Sequence, residues 1–305
     1  MPDFSSGATL NKYVAPILLH SVQNLEDNFT QLFGGVNSEA RQAKGIDVDK
    51  IINEFEFETG VGTEDTFGEP DNVGDESTFI PWTNYTSKVY KVSVTEMKNL
   101  AMDKDKAVKD LIVKSLNSKL AIDSIHNVAP PSHAAGTPVI QGTGDEREST
   151  GTKRITKADI LKLAEAYTGK DFVLVMCKAH KYDLLAEELT SAEKTLLTNL
   201  KTGEIGSLFG INVTVNELLP IKYVAANTKK LIGAAAVAGD KWASIIVEKS
   251  NTMFDTYSLG LSYVSAKQDM TYKVPHSRIR IYGEYIGTTI EDDKMRGAII
   301  DGTVV

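Results

Sequence analysis

The charged residues between positions 51 and 119 are segregated by sign. Residues 51–87 contain no Lys or Arg, and their nine carboxylates are Glu54, Glu56, Glu58, Glu64, Asp65, Glu69, Asp71, Asp75 and Glu76. Residues 88–119 contain eight lysines against four acids. Adjacent segments of opposite charge can recognise each other between copies of a chain as well as within one. A run of like charge is also typical of a solvated loop, and this alternative stays open.

Alternating residues on both sides of the acidic segment favour two strands. Residues 52–58 place Ile and Glu on one face and Asn and Phe on the other. Residues 88–95 alternate too, with several β-branched or aromatic side chains. We therefore expect one long, two-stranded hairpin with an acidic tip. An isolated hairpin is marginally stable in water, so we expect it to rest on another surface.

The composition indicates a globular protein rather than a dedicated nucleic-acid binder. The 305 residues suffice for two cores, and 42% hydrophobic with 24% charged residues are ordinary globular values. A net charge of −8 argues against direct DNA binding, which normally needs a basic surplus. The single cysteine, Cys177, lies in an apolar run, so we expect a buried thiol in a reducing cytoplasm. Neither a membrane span of ~20 apolar residues nor a signal peptide is expected.

A long amphipathic helix is predicted after the hairpin. It begins near Asp103 or Asp105, ends before Pro130, and is over ~30 Å long at ~1.5 Å per residue. Its apolar residues recur mostly at steps of three and four, and they are Val108, Leu111, Ile112, Leu116, Leu120, Ile122 and Ile125. Residues 1–45 have little pattern and are predicted to form an extended arm.

The second half of the chain alternates helices with strands. A helix is predicted with Thr156 as N-cap and Gly169 at the C-cap position. A turn at Gly239-Asp240 is predicted to join two strands. The other predictions are a helix over 179–189 and strands over 171–177, 210–216, 230–237, 243–247, 277–286 and 298–300.

Motifs of enzymatic chemistry are missing from their usual contexts. The Gly-x-Gly pairs at 60–62 and 142–144 lack the further glycines of a dinucleotide site, and there is no phosphate-binding loop or nucleophile elbow. The histidines are scattered, the closest pair, His126 and His133, is separated by Pro130-Pro131, and there is neither a His-Glu-x-x-His helix nor a second cysteine to join Cys177. The hairpin acids do not match calcium-loop spacing, with adventitious cation binding as the alternative. We therefore predict no catalytic residue, no cofactor and no metal site.

The order of elements resembles a known family. Three passages carry the resemblance: residues 90–100 leading into 108–123, residues 172–176 followed by a helix over 181–189, and residues 206–215 with Leu218-Leu219-Pro220 behind them. The first is similar to a passage from an extended loop into a spine helix, the second to the opening of an axial domain, and the third to a glycine turn into a strand. Together they resemble the major capsid proteins of tailed bacteriophages, the Hong Kong 97-like fold.

The resemblance implies an α+β fold with five segments. They are an N-terminal arm over 1–45, an extended β-hairpin loop over 46–96, a peripheral domain with the spine helix over 97–170, an α/β axial domain over 171–264, and strands returning to the peripheral domain over 265–305. The short arm implies a separate scaffolding protein. A covalent Lys to Asn cross-link, present in some members, has no assignable pair here.

The implied function is a major capsid protein that self-assembles through pentamers and hexamers into an icosahedral head shell. The shell would enclose double-stranded phage DNA without sequence-specific binding, and would be assembled in the bacterial host cytoplasm with a portal and a decoration protein as further partners. An encapsulin-like compartment shell is the alternative within the fold. A hydrolase or binding enzyme that uses Asp240 and Glu248 is the alternative from another class.

We expect the acidic hairpin to make the contact between subunits. In this prediction its carboxylates dock near lysines of the spine helix on a neighbouring subunit, with Lys104, Lys106, Lys109 and Lys114 as candidates. Surface charge pairs are individually weak, under about 1 kcal/mol each. A shell repeats each contact in many copies, which lets small contributions accumulate.

Overall fold

The fold was established from a computed structural model. It describes residues 32–36, 44–51, 75–93, 104–147, 151–187, 189–200, 204–216, 221–224, 227–235, 237–264, 276–291 and 295–304. The helices are α1 (Lys104–Val128), α2 (Lys157–Ala166), α3 (Lys178–Ala186) and α4 (Ser191–Asn199), with a 3-10 turn at Lys249–Asn251. The strands are β1 (Gly45–Ile51), β2 (Asp75–Pro81), β3 (Thr83–Thr86), β4 (Tyr90–Ser93), β5 (Val139–Gln141), β6 (Glu146–Arg147), β7 (Thr152–Lys153), β8 (Phe172–Cys177), β9 (Ile205–Leu208), β10 (Ile211–Asn216), β11 (Lys222–Tyr223), β12 (Lys241–Glu248), β13 (Thr252–Val264), β14 (His276–Thr289), β15 (Gly297–Ile300) and β16 (Gly302–Thr303).

One compact unit, Val36–Trp82, is built on an antiparallel hairpin. β1 pairs with β2 in unbroken register, from Gly45 opposite Pro81 to Ile51 opposite Asp75. The amide of Trp82 donates to the carbonyl of Lys44 at 3.2 Å and extends the pairing by one step. A hairpin is therefore present in this part of the chain, formed by residues 45–51 and 75–81. Residues 52–74, which include the predicted first strand over 52–58, lie outside the described residues.

The second strand of this hairpin is not the one that alternation predicted. Residues 88–95 were expected to pair with 52–58, whereas β4 pairs antiparallel with the first residues of β14, and β3 pairs farther along the same strand. That prediction was wrong. Alternation of apolar and polar residues identifies a half-buried strand. It does not identify the strand that pairs with it, because that depends on which strand edge lies beside it in the folded chain.

A seven-stranded sheet lies in the larger unit, in the order β5-β15-β12-β8-β10-β9, with β11 paired to β12. Its central strands carry apolar side chains on both faces because each face of the sheet packs against a core. On β8, Val175 and Cys177 belong to one core, with residues from the end of α1. Leu174 and Met176 belong to the opposite core, with residues of α2, α3 and α4.

A second sheet is formed by long strands. β13 and β14 pair antiparallel over most of their length, with a register shift between Thr256 and Ser258 that marks a bulge. α1 packs on β14, where Leu120 and Tyr285 form a small core. The contact is close at Gly287, since a Cβ built there would lie 1.8 Å from Ser124 Oγ. Gly287 therefore allows the helix to approach the strand.

The predicted spine helix is confirmed, with one error about its buried face. α1 has 25 residues, or ~37 Å at the usual rise. Ile112, Leu120 and Ile125 are buried, as expected of an inward face. Leu111 was expected on that face but is 67% exposed. Among the helices that the structure describes, none is long and apolar enough to cross a membrane.

Most predicted elements of the second half are present. Thr156 caps α2 in a reciprocal capping box with Asp159, but the helix ends at Ala166 with Tyr167 as C-cap, so Gly169 does not have the predicted role. The strand predicted over 230–237 is absent from the described part of that range, which is exposed and rich in Ala and Gly, residues that disfavour strands. β13 and α4 were not predicted.

Candidate functional site

The predicted contact residues are only partly described. Lys104, Lys106, Lys109 and Lys114 all lie in α1, and Lys114 is exposed. Asp75 and Glu76 lie in β2, where Glu76 is in register with Lys50 of β1. Seven of the predicted carboxylates lie outside the described residues: Glu54, Glu56, Glu58, Glu64, Asp65, Glu69 and Asp71. The docking of the hairpin on these lysines therefore stays a prediction.

A cluster of buried charges lies beside α3 in the larger unit, and no sequence motif indicated it. Arg147 on β6 forms ion pairs with Asp183 of α3 and with Asp301, which follows β15. His180 of α3 also bonds Asp301, with 3.1 Å between Nε2 and Oδ1. These four side chains form what we call the buried charge cluster. The side chain of Arg147 is 13% exposed, and those of the other three are 5% exposed or less.

Each carboxylate of the buried charge cluster receives further hydrogen bonds. The amide of Trp242 donates to Asp301 Oδ2 at 2.9 Å, and Thr152 Oγ1 donates to the same atom at 3.4 Å. The amide of Ile155 donates to Asp183 Oδ2 at 3.4 Å. A buried carboxylate needs such donors to offset its lost hydration. The cluster thereby connects β6, β7, α3, β12 and the segment after β15.

The charge state of the cluster follows from these contacts. Burial alone would lower the pKa of His180, but the neighbouring Cys177 sulfur and the Asp301 carboxylate outweigh it and raise the pKa to about 10. Burial alone would raise the pKa of Asp301, but bonds from His180 and Trp242 and the charge of Arg147 lower it. Asp301 therefore stays ionised and His180 stays protonated at neutral pH, beside the guanidinium of Arg147.

Ser244, His180 and Asp301 are linked as in a nucleophilic triad, but their setting differs. Ser244 Oγ lies 2.6 Å from His180 Nδ1 and accepts a bond from the Cys177 amide at 3.0 Å. All three residues are fully buried, so no substrate carbonyl reaches Ser244 Oγ in this arrangement. The grouping of His180, Asp183 and Asp301 also offers metal-ligand atoms within 4.8 Å of one another. Arg147 bonds both carboxylates, so the chain itself supplies their countercharge.

Solved structures of capsids and phage heads share this architecture. The capsid of a native GTA particle matches with a TM-score of 0.58 at 14% identity, covering 92% of each chain. The capsid of Ralstonia phage GP4 matches with a TM-score of 0.63 at 9% identity, covering 90% of this chain and 88% of that one. The head structure of Helicobacter pylori bacteriophage KHP40 matches with a TM-score of 0.57 at 9% identity, covering 89% and 86%. The chain has the Hong Kong 97-like fold of phage capsid proteins.

This fold assignment confirms the α+β class predicted from the order of elements. The similarity is structural, because no protein-family model and no curated protein matches the chain. It covers nearly the whole length of the phage capsid subunits, so it is not confined to one sheet or one domain. The predicted boundaries of arm, loop, peripheral and axial segments stay predictions.

The carboxylates proposed for a hydrolase are far apart in the Hong Kong 97-like subunit. Asp240 precedes β12 and bonds Lys230 Nζ at 2.6 Å, whereas Glu248 ends β12 and accepts from Tyr167 OH at 2.8 Å. Eight residue-to-residue steps along the strand separate them by ~26 Å. Paired catalytic carboxylates lie within ~10 Å of each other. They therefore do not form a catalytic pair.

The closest histidines in sequence have structural partners. His126 Nε2 lies 2.8 Å from the carbonyl of Lys230, and burial is the main cause that lowers its pKa. His133 Nδ1 accepts from the amide of Val139 at 3.0 Å. The single cysteine is buried, as predicted. Burial alone would raise the pKa of its thiol, but the charge of His180 and hydrogen bonds with His180 and Ser244 together lower it.

Long sequence separations explain why the buried charge cluster escaped prediction. Arg147 and Asp301 are 154 positions apart. The one local signal is the spacing of His180 and Asp183, which places both on the same face of α3. Their partners became neighbours only when β6 and the end of β15 met at that helix.

Proposed function

We propose that the chain is a major capsid protein that self-assembles into the icosahedral head shell of a tailed phage. The observation that carries the proposal is the similarity of nearly the whole chain to phage capsid subunits, with coverage of 88–92% on both sides for the GTA and Ralstonia phage structures. The net charge of −8 supports a wall that encloses DNA without adhering to it. The subunit then acts through assembly and not through catalysis.

The acidic hairpin is proposed as the arm that joins neighbouring subunits. Its loop carries a dense set of carboxylates without a cation, and the N-terminal half of α1 carries Lys104, Lys106, Lys109 and Lys114. Exposed charges such as that of Lys114 contribute weakly one at a time, but they set the register and orientation of association. Repetition around a shell makes such contacts cumulative.

Further partners follow from the same proposal. Subunits would form pentamers and hexamers, with a separate scaffolding protein to guide curvature, a portal at one vertex and a decoration protein on the outer surface. Assembly would take place in the bacterial host cytoplasm, and the finished protein would belong to the virion capsid.

Electron microscopy of the expressed protein, alone and with the products of neighbouring genes, tests the proposal. We expect capsomers or closed shells, with sedimentation far above that of a 33.2 kDa monomer. Shells that contain nucleic acid support the phage assignment, whereas shells filled with a folded cargo protein would indicate an encapsulin-like compartment. A monodisperse monomer at high concentration, with and without the neighbouring gene products, would contradict shell formation.

Charge reversal tests the proposed hairpin contact separately. Glu64, Asp65 and Glu69 changed together to Lys should impair assembly and leave the subunit folded, and reversal of the facing lysines should partly restore it. The control changes three exposed acids elsewhere, Asp145, Glu165 and Asp171, to Lys and alters the net charge equally. Equal assembly of both triple variants would refute the contact. So would an assembled structure with these carboxylates farther than ~10 Å, about a Debye length, from any neighbouring cation.

A further inference from the structure

A cavity of about 540 Å³ opens between α2, β5, β7 and β16, away from the acidic hairpin in sequence. Its volume lies within the ~300–1,000 Å³ of small-molecule sites. Its polar lining consists of His133, Gln141, Thr143, Lys153, Lys162 and Thr303, and no carboxylate of the described residues lines it. The net charge of the chain is −8, whereas the lining of this pocket contains two lysines and no acid, so the local charge is positive.

Both lysines of the cavity are unpaired within the described part of the chain. Lys162 is exposed on α2, and Lys153 is half-buried on β7. Glu146 is in register with Lys153 across the β6–β7 pair, but the two form no ion pair. Two lysines thus line one space, and no carboxylate among the described residues forms an ion pair with either of them.

The neutral groups of the cavity add hydrogen-bond donors. His133 Nδ1 accepts from the Val139 amide, so the neutral ring carries its proton on Nε2. Gln141 Oε1 accepts from Thr303 Oγ1 at 3.3 Å, which leaves the Gln141 amide nitrogen as a donor. The cavity therefore combines two cations with two neutral donors.

The nearby acceptors are already occupied. Asp159 accepts from the amide and the hydroxyl of Thr143, at 2.9 and 2.8 Å. It also accepts from the amide and the hydroxyl of Thr156, each at 2.9 Å. A carboxylate with four donors presents little free acceptor capacity to the cavity behind Thr143.

A buried ammonium behind Thr303 strengthens the positive potential. Lys241 is 1% exposed and donates to Thr303 Oγ1 at 2.7 Å and to Asn227 Oδ1 at 2.8 Å. Both hydrogen-bond partners are neutral; burial lowers the pKa of Lys241, and the charge of Asp301 offsets part of that lowering. An ammonium in a low-dielectric setting acts over a longer distance than an exposed one.

We propose that this cavity binds a small oxyanion of the phosphate class, with a preference for dianions over monoanions. Two lysines that face one space match two negative charges, and the donors of His133 and Gln141 match additional oxygens. The lining contains no aromatic side chain apart from His133, so it provides no stacking platform of the kind that holds a nucleobase. The proposal goes beyond shell formation and does not depend on it.

Inorganic phosphate at about pH 8 is the probe, measured by isothermal titration and by the thermal midpoint of the full chain at constant ionic strength made up with sodium chloride. We expect a thermal midpoint that rises and saturates, as binding to the native state requires. Phosphate also stabilises proteins by exclusion from their surface, but that effect does not saturate and needs no site. Acetate at the same ionic strength, a monoanion, should have at least ten-fold lower affinity.

The decisive variant is Lys153→Gln/Lys162→Gln, compared with Lys170→Gln/Lys194→Gln. The control pair is exposed, lies outside the cavity and changes the net charge equally. We expect the first variant to lose phosphate affinity at least ten-fold and the control to stay within two-fold of the parent. Should the double variant fail to fold, Lys162→Gln alone, on an exposed helical position, should still lower the affinity about three-fold.

Three results would overturn the proposal. The first is a rise in the thermal midpoint that does not saturate and is the same in both double variants. The second is no detectable heat of phosphate binding in the parent chain. The third is binding of a short single-stranded oligonucleotide with no binding of free phosphate, which would indicate a surface for a nucleic-acid backbone instead of a small-anion site.

Discussion

Removal of Arg147 should destabilise the subunit more than most single substitutions. Arg147→Met keeps much of the side-chain volume but leaves Asp183 without its ion-pair partner and Asp301 with His180 and, at longer range, Lys241. These carboxylate side chains are 5% and 0% exposed, so water screens them little. Breaking a buried ion pair by removal of one partner typically costs about 3–5 kcal/mol. That cost is comparable to the whole stability of a marginal domain, about 5–15 kcal/mol.

Urea denaturation of the unassembled subunit, followed by circular dichroism, measures this loss. The midpoint should fall by more than about 1 M for Arg147→Met, given typical slopes of about 1–3 kcal/mol per M. Arg147→Met/Asp183→Leu should recover part of the loss, because the remaining Asp301 and His180 form a balanced pair. The exposed Lys170→Met is the matched control and should change stability by less than about 0.5 kcal/mol.

Two outcomes would refute the reasoning about the buried charge cluster. A loss below about 1 kcal/mol for Arg147→Met would mean that Asp183 and Asp301 become hydrated or protonated at little free-energy cost once the arginine is removed. Strict additivity of the two substitutions would mean that Arg147 and Asp183 do not interact energetically, whatever their geometry.

Two further predictions concern pH and the spine helix. In urea titrations, two opposed contributions should shape the free energy of unfolding above pH ~6.5: the raised pKa of His180, about 10, gives stability that is complete below the unfolded pKa and is lost through the folded one, and the lowered pKa of Cys177 gives stability that grows as pH rises. Cys177→Ala/His180→Asn removes both groups and should abolish their part of the pH dependence, so an unchanged dependence in that variant would exclude the pair as its source. In solubility assays, Leu120→Asp should give insoluble protein because it buries an unpaired charge at 1% exposure, whereas Leu111→Asp at 67% exposure should remain soluble. Soluble, assembling Leu120→Asp would show that the helix packs by another face.

The elements that were predicted correctly are those whose sequence signal lies within the element itself. Apolar periodicity identified α1, and an apolar run identified β8, because one or both faces of each element are buried. Thr156 was recognised as a cap because a capping box is contained within four residues. The order of such elements was enough to indicate the Hong Kong 97-like fold.

The errors arose where the outcome depended on distant partners. Residues 88–95 were correctly seen as strand-like, but β4 found its partner in β14, more than 180 positions away. Leu111 has the right spacing for the inward face of α1, yet the packed part of the helix faces β14 with other residues. The spacing of apolar residues identifies one face of a helix, but it does not show how much of that face a neighbouring strand covers.

The sequence by itself determined the class of fold, the long helix, the existence of an acidic hairpin and the burial of Cys177. Only the tertiary structure decided the pairing of β3 and β4, the buried charge cluster and the lysine-lined cavity. Arg147 and Asp301 illustrate the reason, because neither has a neighbour in sequence that reveals its partner. Backbone propensity and apolar spacing depend on a few consecutive residues. The partners in an ion pair depend instead on which strand edges and helix ends become neighbours when the chain folds.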